Sequence, residues 1–238
     1  MRSEQSSRDC RSLARRGFPV PLTPKEWSAV VVGRWNRAIL TPSGIAKRLF
    51  HLEEGTPVAV FVAIDALEPP QVKHEGITVV AGWDRLIVQP ETCDFEGLQK
   101  AMAIACRAME NLPETPVIAA GMNVKYNSSE ALEALQQITR HEWWDAQLSD
   151  RRYEIAGRSL IRALKWSEGQ INFSVAEEPT GAFLVQLNFH RESTSVDDLK
   201  KWVSTPISEI NDQVKQVLFD CMQIKPEDIE HAPGTGEG

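Results

Sequence analysis

The chain contains no run approaching the roughly 18 consecutive apolar residues that a membrane-spanning helix requires. Its apolar stretch at 58–64 is only strand-sized, so a membrane partner is not expected. The four cysteines, Cys10, Cys93, Cys106 and Cys221, form no Cys-x-x-Cys pair and follow no secretory leader, and they read as reduced thiols of a cytoplasmic protein. Positive charge is also in deficit. Lys and Arg number 26 against 33 Asp and Glu, for a net charge of -7, and that balance does not favour nucleic acid. Catalytic signatures are missing as well: there is no Gly-x-Ser-x-Gly elbow, no Gly-x-x-x-x-Gly-Lys phosphate loop and no Glu-x-Lys pair of the metal-dependent nuclease kind. Each absence weakens the case for an enzyme, and no cofactor is implied.

What is present describes a folded domain between two tails. Hydrophobic residues make up 42% and tryptophans number seven, well outside the composition of disorder. Residues 1–17 carry five arginines and four serines with almost nothing apolar, which predicts a disordered basic tail. Residues 225–238 are acidic and end in a Gly-x-Gly without a strand before it or a helix after it, so they read as a second disordered tail. The domain between them, 18–224, reads as one unit or as two subdomains dividing near residue 128.

Helix starts are legible inside it. Thr23-Pro24-Lys25-Glu26 has the form of a capping box with proline at the first helical position, which predicts a helical turn before a strand at Ala29–Val32. Thr41-Pro42 repeats the signal ahead of Ile45, Ala46, Leu49 and Phe50. Asp94 precedes a stripe through Leu98, Ala101, Met102, Ala105, Met109 and Leu112 that Pro113 ends. Asn127 with Glu130 is read as the start of a helix through Leu132, Leu135 and Ile138. Ser195 opens one through Leu199, Trp202 and Val203, and Thr205-Pro206 restarts it through Ile210, Val214, Val217 and Cys221.

Strands cluster between these helices. Val58–Ile64, apolar on both faces, reads as a central strand. Ile77–Val80 and Arg85–Gln89 flank Gly82-Trp83-Asp84 as a hairpin, and Val117–Tyr126 adds a further strand. Tyr153–Trp166 (bending near Gly157), Ile171–Ala176 and Ala182–His190 follow in succession. Hairpin-length links at 81–84, 167–170 and 177–181 predict an α+β fold of mainly antiparallel sheet, with amphipathic helices packed on one face.

Three sets of residues are candidate sites. His141-Glu142-Trp143-Trp144-Asp145 resembles a zinc-hydrolase His-Glu-x-x-His helix with aspartate in place of the second histidine. His141 and Asp145 would be ligands and Glu142 the base that activates a metal-bound water. No third ligand accompanies them in sequence, so a helix C-terminus with packed tryptophans is the preferred reading and no metal is expected. Arg34, Asn36 and Arg37, between a β-branched strand and the helix at Pro42, could cradle a small anion, or pair with surplus carboxylates around a packed Trp35. Two polar rows at alternate strand positions, Asn123/Lys125/Asn127 and Gln186/Asn188/His190, would bind a ligand or form a solvated face. His190 would serve as a general base only beside an orienting carboxylate.

The order of Trp83-Asp84-Arg85-Leu86-Ile87-Val88, then Gly121-Met122-Asn123-Val124-Lys125-Tyr126-Asn127, then terminal helices around Trp202 and Phe219 resembles a sporadically distributed bacterial protein family of uncharacterised function. The resemblance spans about residues 26–222, without the tyrosine-glycine-tryptophan phrase expected after the strand pair. It implies a bacterial, mobile-element- or phage-linked cytoplasmic protein and carries over no catalytic residue. The expectation is therefore a non-catalytic interaction or assembly module, binding a protein partner or itself through sheet edges and the C-terminal helix. A metal-dependent hydrolase or nucleic-acid-processing enzyme, and a small-anion binder, stand as alternatives.

Overall fold

Short turns between alternating apolar and polar segments dictate antiparallel neighbours, and a single antiparallel sheet is what forms. The computed structural model describes residues 22–62, 69–128 and 133–224; both expected tails fall outside them. The strands are β1 (Leu22–Pro24), β2 (Ser28–Gly33), β3 (Ala59–Phe61), β4 (Gln71–His74), β5 (Ile77–Ala81), β6 (Arg85–Pro90), β7 (Val117–Ser128), β8 (Ser159–Trp166), β9 (Gly169–Glu177) and β10 (Phe183–Glu192). Their order is β3-β4-β5-β6-β2-β7-β10-β9-β8, with β1 and β2 end to end along one side of β7. The fold is thus α+β with an antiparallel sheet, as the hairpin-length links predicted.

One face of this sheet is the core. Ala29 and Val31 of β2, Leu86 and Val88 of β6, Met122, Val124 and Tyr126 of β7, Ile171, Phe173 and Val175 of β9, and Val185, Leu187 and Phe189 of β10 are all buried. Against them pack α2 (Phe95–Asn111), α5 (Val196–Val203) and α6 (Ile207–Lys215), the last running on into a π-helical turn at Gln216–Cys221. The stripe on α2 buries Leu98, Ala101, Met102, Ala105 and Met109, and that on α6 and its continuation buries Ile210, Val214, Val217 and Leu218. The C-terminal helix therefore spends most of its apolar face on the core, with Ile207 and Phe219 only partly buried.

Caps form where the sequence places them at three helices. Thr41 accepts from Gly44 N–H at the start of α1 (Pro42–Arg48), Ser195 accepts from Asp198 N–H at the start of α5, and Asp94 accepts from Gly97 N–H at 2.6 Å at the start of α2. Asp94→Ala removes an acceptor that satisfies an otherwise orphan amide, so the variant should unfold with a stability loss of about 1 kcal/mol in urea. An unchanged midpoint would mean that water replaces the cap without cost.

Several expectations fail. Thr23 and Pro24 are not a helix start but part of β1, held by pairing with Asn127 and Tyr126, while Lys25 N–H bonds to Lys125 C=O. Trp27, buried and donating from Nε1 to Lys125 C=O, anchors the following turn edge-on to Phe95 and Tyr126. The expected central strand at 58–64 is the short edge strand β3, with Phe61 55% exposed; residues 63 and 64 lie outside the described residues. Asn127 does not open a helix: it continues β7 opposite Leu184, and the next described helix, α3 (Glu133–Thr139), buries Leu135. Residues 141–145 start a helix, α4 (Glu142–Asp150), where a helix end was expected. The strand expected from Tyr153 begins only at Ser159.

Candidate functional site

The structure gives the metal-like residues of α4 other work. His141 is the N-cap, its Nδ1 accepting from Trp144 N–H. Asp145 pairs with Arg158 at 3.2 Å, and Arg158 also reaches Glu177 at 3.6 Å, tying α4 to the β8–β9 margin. Glu142 stands exposed in the first turn. Among the described residues no three His, Cys, Asp or Glu side chains gather where a metal ion could be held.

Asn36 and Arg37 of the anion-binding set have partners of their own. Trp35 is buried and donates from Nε1 to Val31 C=O. Arg34 is exposed, Asn36 accepts Ala38 N–H in a local turn, and Arg37 lies over the Trp83 ring at 4.9 Å. The hydroxyl of Thr41, the nearby anion-binding candidate, is occupied by its own helix. Cys106 is no nucleophile in waiting: burial pushes its thiol up, with Glu110 adding to the effect against a bond from Ser204, and the thiolate is the reactive form.

The two polar rows do come together. β7 and β10 pair with Asn123 opposite Asn188, and β10 and β9 pair with Asn188 opposite Asn172. A directed chain of hydrogen bonds crosses the sheet's other face: Gln170 donates to Asn172, Asn172 to Asn188, Asn188 to Asn123 and Asn123 to Ser28, at 2.8–3.1 Å. Ser28 is buried, and among the described residues its hydroxyl hydrogen has no acceptor of its own. Beside the chain lies a cavity of about 330 Å³ lined by apolar Val30, Val32 and Ile87, by Gly121, Asn123 and Asn188, and by the titratable Glu26, Arg85, Lys125 and His190. Its floor is backbone at Gly121, where an added Cβ would stand 2.6 Å from Phe189 C=O. Of the sequence candidates, Asn123, Lys125, Asn188 and His190 share this cavity. His190 faces Glu192 at 3.3 Å, a carboxylate on its own strand.

A second feature is the sheet's margin. β8 is an edge strand: it pairs with β9 on one side, and no described strand pairs with it on the other. Ile161 is 69% exposed, Leu164 is also exposed, and Arg162 and Lys165 stand in the same strand with no acidic residue among Ser159–Trp166. On nearby α4, Trp143 and Trp144 are 66% and 53% exposed, against the packed role expected for them, because the helix buries no residue. No helix among the described residues is long and apolar enough to cross a membrane. The chain matches no protein-family model and no curated protein.

Proposed function

We propose that this protein is a non-catalytic interaction module that accepts an acidic strand from a partner protein along the open side of β8. The observation that carries this reading is an edge strand that no described strand pairs on its second side, with Ile161 and Leu164 exposed, only positive charge, and the Ile161 carbonyl held by nothing stronger than its neighbour Arg162. Such an edge is a ready template for strand addition, with the backbone supplying affinity and alternate side chains the selectivity. Arg162 and Lys165 choose between occupants. Two copies joined edge to edge would bring like charges together, which is unfavourable across strands, whereas carboxylates on an incoming strand are attracted to both cations. On the sequence resemblance, we further propose that such a module works in a bacterial cytoplasm.

The test is hydrogen exchange of the whole chain with a capped valine-rich octapeptide carrying two glutamates three positions apart, so that one carboxylate lies on each face of the added strand. The peptide should slow exchange of the β8 amides, and the chain should remain monomeric by light scattering. Exposed ion pairs are worth about 0.2–1 kcal/mol each, so Arg162→Glu with Lys165→Glu should weaken peptide binding by about tenfold. Unchanged β8 exchange would overturn the reading, and so would a concentration-dependent dimer protected at β8.

A further inference from the structure

The cavity on the open sheet face has no part in strand addition at β8, and its chemistry points to a different kind of ligand. Each carboxamide in the Gln170–Asn172–Asn188–Asn123 chain gives one N–H to its neighbour. Asn123 and Asn188 each keep a second N–H and a carbonyl lone pair. Side by side on adjacent strands, they present a mixed row of donors and acceptors whose own orientations are locked by the chain. The buried Ser28 hydroxyl adds a further donor. Next to this row Val30, Val32 and Ile87 form an apolar strip, and at Gly121 the surface falls to bare backbone.

Charge narrows the choice. The two cations of the lining each have an acid beside them, Lys125 with Glu26 at 3.2 Å and Arg85 with Asp84 at 2.6 Å, and His190 faces Glu192 at 3.3 Å. Those pairs leave no uncompensated positive charge to hold a phosphate or a carboxylate, and the chain as a whole carries -7. A cavity of about 330 Å³ is at the small end of the range for ligand sites, about 300–1,000 Å³. We propose that the cavity between β2, β7 and β10 binds an uncharged planar heterocycle of nucleobase type, its face on Val30, Val32 and Ile87 and its edge on Asn123 and Asn188. Carboxamides suit such an edge because one side chain offers a donor and an acceptor in a single plane, the geometry by which asparagine reads adenine.

Titration calorimetry of the full chain with free adenine, guanine, cytosine and uracil tests this. At least one base should bind saturably at one site per chain. Asn188→Leu, which breaks the row at its centre, should weaken that binding by about tenfold or more, the value of a paired contact to a base edge. Should that variant fail to fold, Ile87→Trp fills the cavity from its apolar wall, leaves the amide chain in place, and should abolish binding. The β8 double variant Arg162→Glu with Lys165→Glu should bind the base as the parent does, which separates this site from the strand-addition surface. The proposal is overturned if no base binds at millimolar concentration, if Ile87→Trp binds unchanged, or if nucleoside monophosphates bind tenfold more tightly than their bases.

Discussion

Phe189→Ala is expected to lower the stability of the chain by about 3–5 kcal/mol, the cost of emptying a fully buried aromatic site. Phe189 lies on β10, has no exposed surface, and meets Trp166 edge-on at 5.2 Å; Trp166 in turn meets Trp202 of α5 at 5.2 Å. These three rings join the β8–β9–β10 half of the sheet to the helical layer. Their removal leaves a void that neighbouring strands cannot close, because the backbone of β10 is held by ladders on both sides. Gln186, three positions earlier on the opposite face, is the control: Gln186→Ala should change stability by no more than about 0.5 kcal/mol. Urea unfolding of both variants checks the pair. Equal losses would mean that the two faces of β10 have been assigned the wrong way round.

Gly121→Val should be the most damaging change on the open face. An added Cβ would stand 2.6 Å from Phe189 C=O and 3.4 Å from Asn188 Nδ2. The first neighbour is backbone in the middle of a paired strand and cannot move without breaking the β7–β10 ladder. Overpacking of this kind costs about 1–3 kcal/mol, and the branched side chain adds a demand for space where Asn188 must lie across to reach Asn123. Two readings should therefore fall together: the urea midpoint, and the protection of the β7 and β10 amides around Gly121 in hydrogen exchange. A variant as stable as the parent, with those amides still protected, would show that the strands separate locally at little cost and that the close approach is not required.

The parts of the fold that were legible in the sequence are those a few neighbouring residues decide. Asp94 with the stripe to Met109, Thr41-Pro42, and the hairpin around Gly82-Trp83-Asp84 depend on caps, helical spacing and turn chemistry, and each appears as expected. The polar row Gln186, Asn188 and His190, at alternate positions, lies on the less buried side of β10, opposite buried Val185, Leu187 and Phe189. The failures share another cause. Thr23-Pro24 has the letters of a helix start, yet β7 supplies Leu22–Pro24 with strand pairing that outweighs the local preference. Val58–Ile64 has the apolarity of a central strand, but the described part of it pairs on one side only. Trp143 and Trp144 have the bulk of core residues, but the described contacts of α4 come chiefly through Asp145 and Arg158, which leaves both rings facing water.

The candidate sites divide in the same way. Asn123 and Asn188 could each be recognised as a polar position on an alternating strand, but nothing local says that they face one another, because 65 residues separate them. Sequence by itself determined the two-residue and 3.6-residue periodicities, the caps, the hairpins and therefore the α+β class, since all of these follow from interactions within one turn or between adjacent strands. Strand order, the register that threads the amide chain from Gln170 to Ser28, and the choice of β8 as an open edge were decided only when distant segments packed. Those outcomes depend on which of many competing apolar faces bury each other best, a comparison among whole arrangements that no short stretch of chain contains.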